Sequence, residues 1–494
     1  MRRNVVLTLI VLATAALVGG FVVALRTGAM PLGVRGEWEW LRLPANVAVL
    51  PLDLALGMVG VAAFAAFAGL GMRSLSARAT RAREVAWLAA LAGAGVVAQV
   101  WVQSAAPTGY GLAKWIVALS QKGSSGYFRI AKDEAGDLGP FLARYPQWIR
   151  GQDALHIGTH PPGLVAVEAA LLHAVEARPA AARWVEDRAP ESLVQAWRVF
   201  GRDNPLAPAD RATLILIGAL TLLACAATVV PLYLLARVSL PPGPAFAAAA
   251  LWPLLPSAVL FQPTADTAYP LLSTAALALA GHAGLTSASA RRARWLAGAS
   301  GLLLGVGMQF TLAFLAVGVV VGLMLISDQR RPVRDRAGSL VATGAGFLAL
   351  TLLVWALTRA NPFVTWWWNQ ANHARFYVEF PRTYRAWVAA NPVELAVGLG
   401  LPTALWAVAS LCWPRDVPRA SLATAVVLVL LTLGGRSLSE VGRLWLPFMP
   451  ALVVAAGVTL EKLRAGPVAL VAMLGLIGVQ TLALQATIQV VYPV

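Results

Sequence analysis

The sequence predicts an all-α, polytopic membrane protein of roughly 13 transmembrane helices with a large periplasmic first loop containing juxtamembrane helices. Three observations carry that expectation. Hydrophobic residues make up 59% of the 494-residue chain and charged residues only 13%, more apolar side chain than a water-soluble fold covers with polar surface. The apolar residues fall in repeated runs of about 18 to 25, the length that carries a helix across a hydrocarbon core. The net charge of +16 sits in short segments between those runs, as in the cytoplasmic loops of a membrane protein, and argues against a nucleic-acid-binding face.

In order, the spans fall near 5–26, 47–71, 85–105, 211–236, 243–261, 265–284, 294–309, 311–327, 338–359, 394–413, 419–434, 444–462 and 466–488. The first, NVVLTLIVLATAALVGGFVVAL after Met-Arg-Arg, exceeds a signal-peptide core and has no well-placed small-residue cleavage site, so it reads as a retained span. With the N-terminus cytoplasmic, the inside connections are MRSLSARATRARE, ARVSLPPG, SASARRAR, SDQRRPVRDR, WPRDVPR and EKLR. Nearly all are Arg-rich, while residues 106–210, on the other side, are balanced in charge, and this asymmetry sets the orientation. Thirteen spans then leave the C-terminus periplasmic. The run 161–177 is short for a span and carries Glu168, His173 and Glu176. Letting it cross would send the following Arg-rich loops outward, so it is laid in the interface as an amphipathic helix, with Pro161 and Pro162 at its first turn. Trp366, Trp367 and Trp368, and likewise Trp38 and Trp40, read as an interfacial aromatic belt. Cys225 and Cys412, the only cysteines, lie in apolar runs and read as packing residues, with no disulfide or thiolate metal site.

Three outer segments concentrate polar chemistry. In SSGYFRIAKDEAGDLGPFLARYPQWI, Asp133, Glu134 and Asp137 fall within about a helical turn; a carboxylate there serves as a general base or holds a cation, unless the group is a solvated face balanced by Arg129 and Lys132. In HIGTHPPG, His156 and His160 are four apart, but a double proline follows, so helical metal spacing is not established. One imidazole is expected to give a hydrogen bond or charge to a phosphate and the other to be structural. Asp266 opens one span and Arg436 and Arg443 precede another; the arginines suit a lipid phosphate by bidentate hydrogen bonds, and the alternative for such groups is snorkelling. His373 in the late loop 360–393 is a further candidate. No metal ligands are assigned, although a divalent metal is possible.

Taken in order, these features resemble the GT-C superfamily of membrane glycosyltransferases, in particular the branch of protein O-mannosyltransferases and aminoarabinose lipid A transferases. HPPG at 160–163 stands where those proteins carry KPPL or HPPL, and Asp266 where they carry an outer-face Asp. RRARWLAGASGLLLGVGMQFTLAFL from 291 resembles their Arg-initiated, glycine-rich helix pair, and RLWLPFMPAL from 443 their RYLLPLLPAL. The resemblance covers about 85–464 and divides the chain into two extra N-terminal helices (1–84), a GT-C-like core (85–464, with periplasmic loops 106–210 and 360–393) and a C-terminal transmembrane helix (465–494).

The resemblance implies inverting transfer of a hexosyl or pentosyl unit from a polyprenyl-phosphate-linked donor to a lipid, glycan or protein acceptor at the periplasmic face of a bacterial inner membrane, among membrane lipids and without nucleic acid. It also implies an acidic base early in the first large loop. Just before Tyr127 this chain reads GSSG, with no carboxylate, which moves the expected base to Asp133 or Asp137, with Tyr127, His156, His160, Asp266, His373, Arg436 and Arg443 binding substrate. Thr159 likewise replaces an acidic residue that some relatives use for a metal. The rival readings are a transporter or flippase of a lipid-linked saccharide, expected to carry ionisable groups at mid-membrane depth, and a catalytically inactive relative.

Overall fold

The structure, a computed structural model, describes residues 2–489 apart from 31, 45, 46, 48, 108 and 202–204, so the last five residues of the C-terminal segment lie outside it. It is all-α and polytopic, and each of the thirteen apolar runs becomes helical. Among the described residues, six helices are long and apolar enough to cross a membrane: Val5–Thr27, Pro51–Ala77, Arg81–Ser104, Pro208–Ala236, Val333–Thr358 and Pro467–Thr487. Tyr384–Gly398 and Leu401–Cys412 form a seventh candidate, bent by 105° beside Gly400, whose φ of +80° is left-handed. By length and composition the count is thus six or seven rather than thirteen. Prolines account for part of the difference. The run 243–261 is three pieces, Pro242–Leu251, Trp252–Leu254 and Pro256–Leu260, because Pro253 and Pro256 cannot continue a helix made before them. Most of the others are helices of 14 to 18 residues.

Glycine lets two of these helices meet backbone to backbone. A Cβ on Gly301 would lie 1.9 Å from the Thr343 carbonyl oxygen, and one on Gly346 would lie 2.1 Å from that of Gly298. Helices Ala290–Gly307 and Val333–Thr358 therefore pack as small-residue interfaces do in a bilayer, where van der Waals fit replaces the hydrophobic drive.

The connections sort to two ends, as the charge pattern requires. At the Arg-rich end Asp328 binds Arg330 at 3.0 Å and also Arg419, and Arg331 donates to the carbonyls of Ala283 and Ala288 at 2.6 and 2.7 Å. Three connections are thereby tied, and the carbonyls of Ala283, at the end of one helix, and of Ala288 find donors. At the other end the connection after the first helix forms a small hairpin, Gly33–Val34 against Trp38–Glu39, and Leu41–Arg42 pairs with Ile488–Gln489.

This hairpin corrects the aromatic-belt reading of Trp40. Its ring is buried against Phe261, edge-on at 5.9 Å, and its Nε1 donates to Glu394 Oε1 at 2.5 Å. Trp38 packs on Trp387, whose own Nε1 donates to Glu37 at 2.7 Å. Of the three consecutive tryptophans only Trp367 is exposed. Trp366 donates to the Met308 carbonyl and Trp368 lies under the Arg150 guanidinium, because neighbours on a helix point about 100° apart. Cys225 is buried, but Cys412 is exposed on the bundle surface, contrary to its reading as packing.

Candidate functional site

At the hairpin end a cavity of about 1250 Å³ opens between the connecting loops and the ends of the helices. Tyr127, His156, His160, Asp266, His373, Arg436 and Arg443 all line it. Residues up to 316 positions apart in sequence thus share one opening. Asp133 and Asp137 do not: both are exposed, at the end of helix Tyr127–Asp133 and at the start of Leu138–Trp148, and neither lines the cavity. Their neighbours are held structurally, Lys132 by Asp210 at 2.6 Å and Glu134 by the Trp148 indole at 2.7 Å.

The double-histidine turn is built before it is used. Asp153 Oδ1 accepts the amides of Leu155 and His156, both at 2.9 Å, an Asx turn that starts the short 3₁₀ segment Ile157–Thr159. Gly158 has no side chain because a Cβ would sit 1.9 Å from the Asp153 carbonyl oxygen. From helix Pro362–Glu379, Asn369 donates to the carbonyls of Gly158 (2.9 Å) and His160 (3.0 Å), and Asn372 to those of Gly158 (2.9 Å) and Ile149 (3.0 Å). Tyr145 adds a third clamp on the His160 carbonyl at 3.0 Å. Pro161 and Pro162 then lead into helix Gly163–Glu176, and Gly163 donates to the Gln309 carbonyl at 2.8 Å.

The clamp fixes the chemistry of His160. Its Nδ1 lies 2.8 Å from the His156 carbonyl oxygen, which can only accept, so Nδ1 carries the hydrogen and a neutral ring keeps its lone pair on Nε2. Burial holds both imidazoles in the neutral form: it is the largest cause of the lowered pKa of His160, with Asp266 opposing it, and it brings His156 down to about 4, assisted by the Arg443 charge. Tyr127 stands edge-on to His160 with ring centroids 5.6 Å apart; burial, then Tyr269 and Asp266, suppress ionisation of its phenol. His373 is also kept neutral, by burial and then by Arg436.

Opposite the turn, the loop 434–443 delivers the cations. Arg443 pairs with Glu440 at 2.5 Å and lies 3.9 Å from Asp266, and its Nε has no hydrogen-bond partner. A buried guanidinium N–H without an acceptor is uncommon and suits an oxygen-rich anion. Ser439 and Glu440 adopt φ of +108° and +54°, two consecutive non-glycine residues in the left-handed half of the map, each costing roughly 1–3 kcal/mol. Side chains hold that backbone: Tyr377 accepts the Leu438 amide at 3.0 Å, Asn391 donates to the Ser437 carbonyl at 2.7 Å, and Tyr384 donates to that of Leu433 at 2.7 Å. Trp40 packs so closely on Gly442 that a Cβ there would meet its ring at 2.8 Å, so the N-terminal hairpin buttresses the loop that carries Arg443. Arg436 is exposed and makes no ion pair among the described residues.

Away from this polar mouth the cavity is apolar, lined by Leu164, Val167, Leu171, Ile217 and Leu220 on one flank and by Leu312, Leu315 and Leu431 on another. Val167, Leu220 and Leu315 are also exposed on the outside of the bundle, so the apolar part reaches the surface that faces lipid. Among the described residues no three His, Cys, Asp or Glu side chains gather as a metal site.

Sequence reasoning missed Asn369, Asn372, Tyr145, Tyr269 and Glu440. The spacing of the asparagines, three apart and hence on one helix face, is the signal that was present; nothing local marks Glu440.

Residues 213–355 match a family model described as dolichyl-phosphate-mannose-protein mannosyltransferase. The match agrees with the resemblance to GT-C membrane glycosyltransferases drawn from the motifs. It contains Asp266 and the glycine-packed helix pair, while His160 and Arg443 lie outside it. No curated protein matches the chain.

Proposed function

We propose that this protein is a glycosyltransferase that moves a hexosyl or pentosyl unit from a polyprenyl-phosphate-linked donor to a hydroxyl of a lipid, glycan or protein acceptor, at the periplasmic face of a bacterial inner membrane. One observation carries the reading: a cavity whose mouth gathers His160, Asp266 and Arg443 continues into an apolar part open to lipid. That is the shape of a lipid-anchored sugar phosphate, and the mannosyltransferase match supports the same chemistry. The Arg-rich connections at the opposite end favour a cytoplasmic placement there, which leaves the mouth outside.

In this reading the carrier's phosphate lies against Arg443, whose guanidinium charge and Nε–H, which makes no hydrogen bond within the protein, stabilise the negative charge that grows on the leaving oxygen. The acceptor oxygen attacks the anomeric carbon from the face opposite the phosphate, its proton passes to His160 Nε2, and the C–O bond to phosphate breaks with its electron pair on the phosphate. Polyprenyl phosphate departs and the anomeric centre is inverted. Asp266, beside both His160 and Arg443, stabilises the imidazolium that forms. His160 thereby takes the place of the carboxylate absent from the GSSG turn.

The test is release of labelled sugar from a polyprenyl-phosphate donor by the purified protein in nanodiscs. His160→Ala is expected to lower kcat by roughly 100-fold or more, and Asp133→Asn and Asp137→Asn to leave it near wild type. Full activity of His160→Ala would overturn the assignment of the base. Movement of intact donor across a vesicle bilayer without sugar release would replace the enzyme by a transporter.

A further inference from the structure

The apolar part of the cavity contains one group that does not belong in an apolar lining. Glu168 lies in the second turn of helix Gly163–Glu176, on the same face as Leu164 and Leu171, and is 5% exposed. Its Oε2 has no hydrogen-bond partner. Buried carboxyl oxygens are nearly always bonded in folded proteins, and one left open is a standing cost. A carboxyl retained only for packing would be better replaced by Leu or Met. The helix has 14 residues, about 21 Å at 1.5 Å per residue, too short to cross a bilayer core. Glu168 therefore lies on a helix that does not span, eight residues beyond His160.

Resting on the donor assignment above, we propose that Glu168 recognises the donor lipid: its protonated carboxyl donates a hydrogen bond to a phosphate oxygen of the polyprenyl-phosphate carrier where the apolar part meets the mouth. A phosphate offers only acceptors, so the partner must donate, and an ionised carboxylate would repel it. Burial pushes the Glu168 carboxyl up to about 8, so it keeps its proton near neutral pH. Tyr269 also lines the cavity. Leu164, Val167, Leu171, Ile217 and Leu220 on this flank suit isoprene units, and the Thr221 hydroxyl beside them already donates to the Ile217 carbonyl at 2.8 Å.

The experiment measures binding of polyprenyl phosphate, and of the phosphate-free polyprenol, to the full-length protein in nanodiscs, together with donor KM and kcat. Glu168→Leu is expected to raise the Kd for polyprenyl phosphate and the donor KM by about tenfold, with kcat within about twofold and polyprenol binding unchanged. Glu168→Gln, which still donates, is expected to stay within about threefold of wild type. Glu168→Met, longer and unbranched, is the second apolar variant should Leu prevent folding, with the same expectation. Polyprenyl phosphate binding as tight as wild type in a folded apolar variant would overturn the proposal, as would an equal loss of polyprenol binding, which would make Glu168 a packing residue. If wild type itself binds no polyprenyl phosphate, it is the donor assignment that fails.

Discussion

Replacing Arg443 by Ala separates a site for a lipid phosphate from a structural ion cluster. Arg443 neutralises Glu440 at 2.5 Å and, through Nε, Asp266 at 3.9 Å, and its Nε–H makes no hydrogen bond within the protein. If that N–H serves the phosphate, its removal deletes a charge-assisted hydrogen bond worth about 1.5–3 kcal/mol, or about ten- to 150-fold in kcat/KM. The variant also leaves two carboxylates facing an anion, which places the result at the upper end of that range. Arg443→Lys keeps the charge without the forked geometry and should recover only part of the loss. The assay is steady-state sugar release, with kcat and donor KM resolved and the thermal midpoint recorded to show that the fold survives. The reasoning is refuted if Arg443→Ala is folded and turns over within about threefold of wild type.

Three further outcomes follow. Asn369→Leu removes two donors from the histidine turn, but Asn372 and Tyr145 still hold the same carbonyls; stability should fall by only about 1–3 kcal/mol while kcat falls more steeply than donor KM rises, as checked by thermal unfolding beside steady-state kinetics. Gly442→Ala forces a methyl to 2.8 Å from the Trp40 ring and should cost about 1–3 kcal/mol, with Gly442→Ala plus Trp40→Leu less destabilised than the sum of the two single changes; additive thermal shifts would dismiss the buttress. His156 has its pKa lowered from 6.5 to about 4 by burial and Arg443, so between those values the unfolded chain binds the proton and the folded chain does not. Stability contributed by the neutral ring is therefore complete above about pH 6.5 and is lost as pH falls toward 4, by up to about 3 kcal/mol, and His156→Gln should flatten that part of the thermal-midpoint profile.

The membrane class and the helical course of the chain were legible because each rests on composition and on runs read locally. Span length was less so, since the prolines at 253, 256, 447 and 450 cut apolar stretches that hydropathy averages into one. The seven binding candidates share a cavity, and each belongs to a chemically unusual segment between apolar runs; the Arg-rich connections gather at the opposite end of the bundle. Asp133 and Asp137 drew attention through local density of charge, which marks a solvated face as readily as a site. Trp40 shows the converse: an outer-loop tryptophan reads as a belt residue until its indole finds Glu394, 354 positions away. Glu168 was visible as a charge in an apolar helix, but its unpartnered oxygen belongs to the packed structure alone.

The central claim is that the mouth and the apolar part of the cavity hold one polyprenyl-phosphate carrier. The direct measurement is photo-crosslinking with a polyprenyl phosphate bearing a diazirine on the isoprene next to the phosphate, followed by peptide mapping. The account predicts labelling within helix Gly163–Glu176 and at 217–224, reduced by Arg443→Ala. Labelling spread over the outer faces of the bundle, indifferent to Arg443, would contradict it.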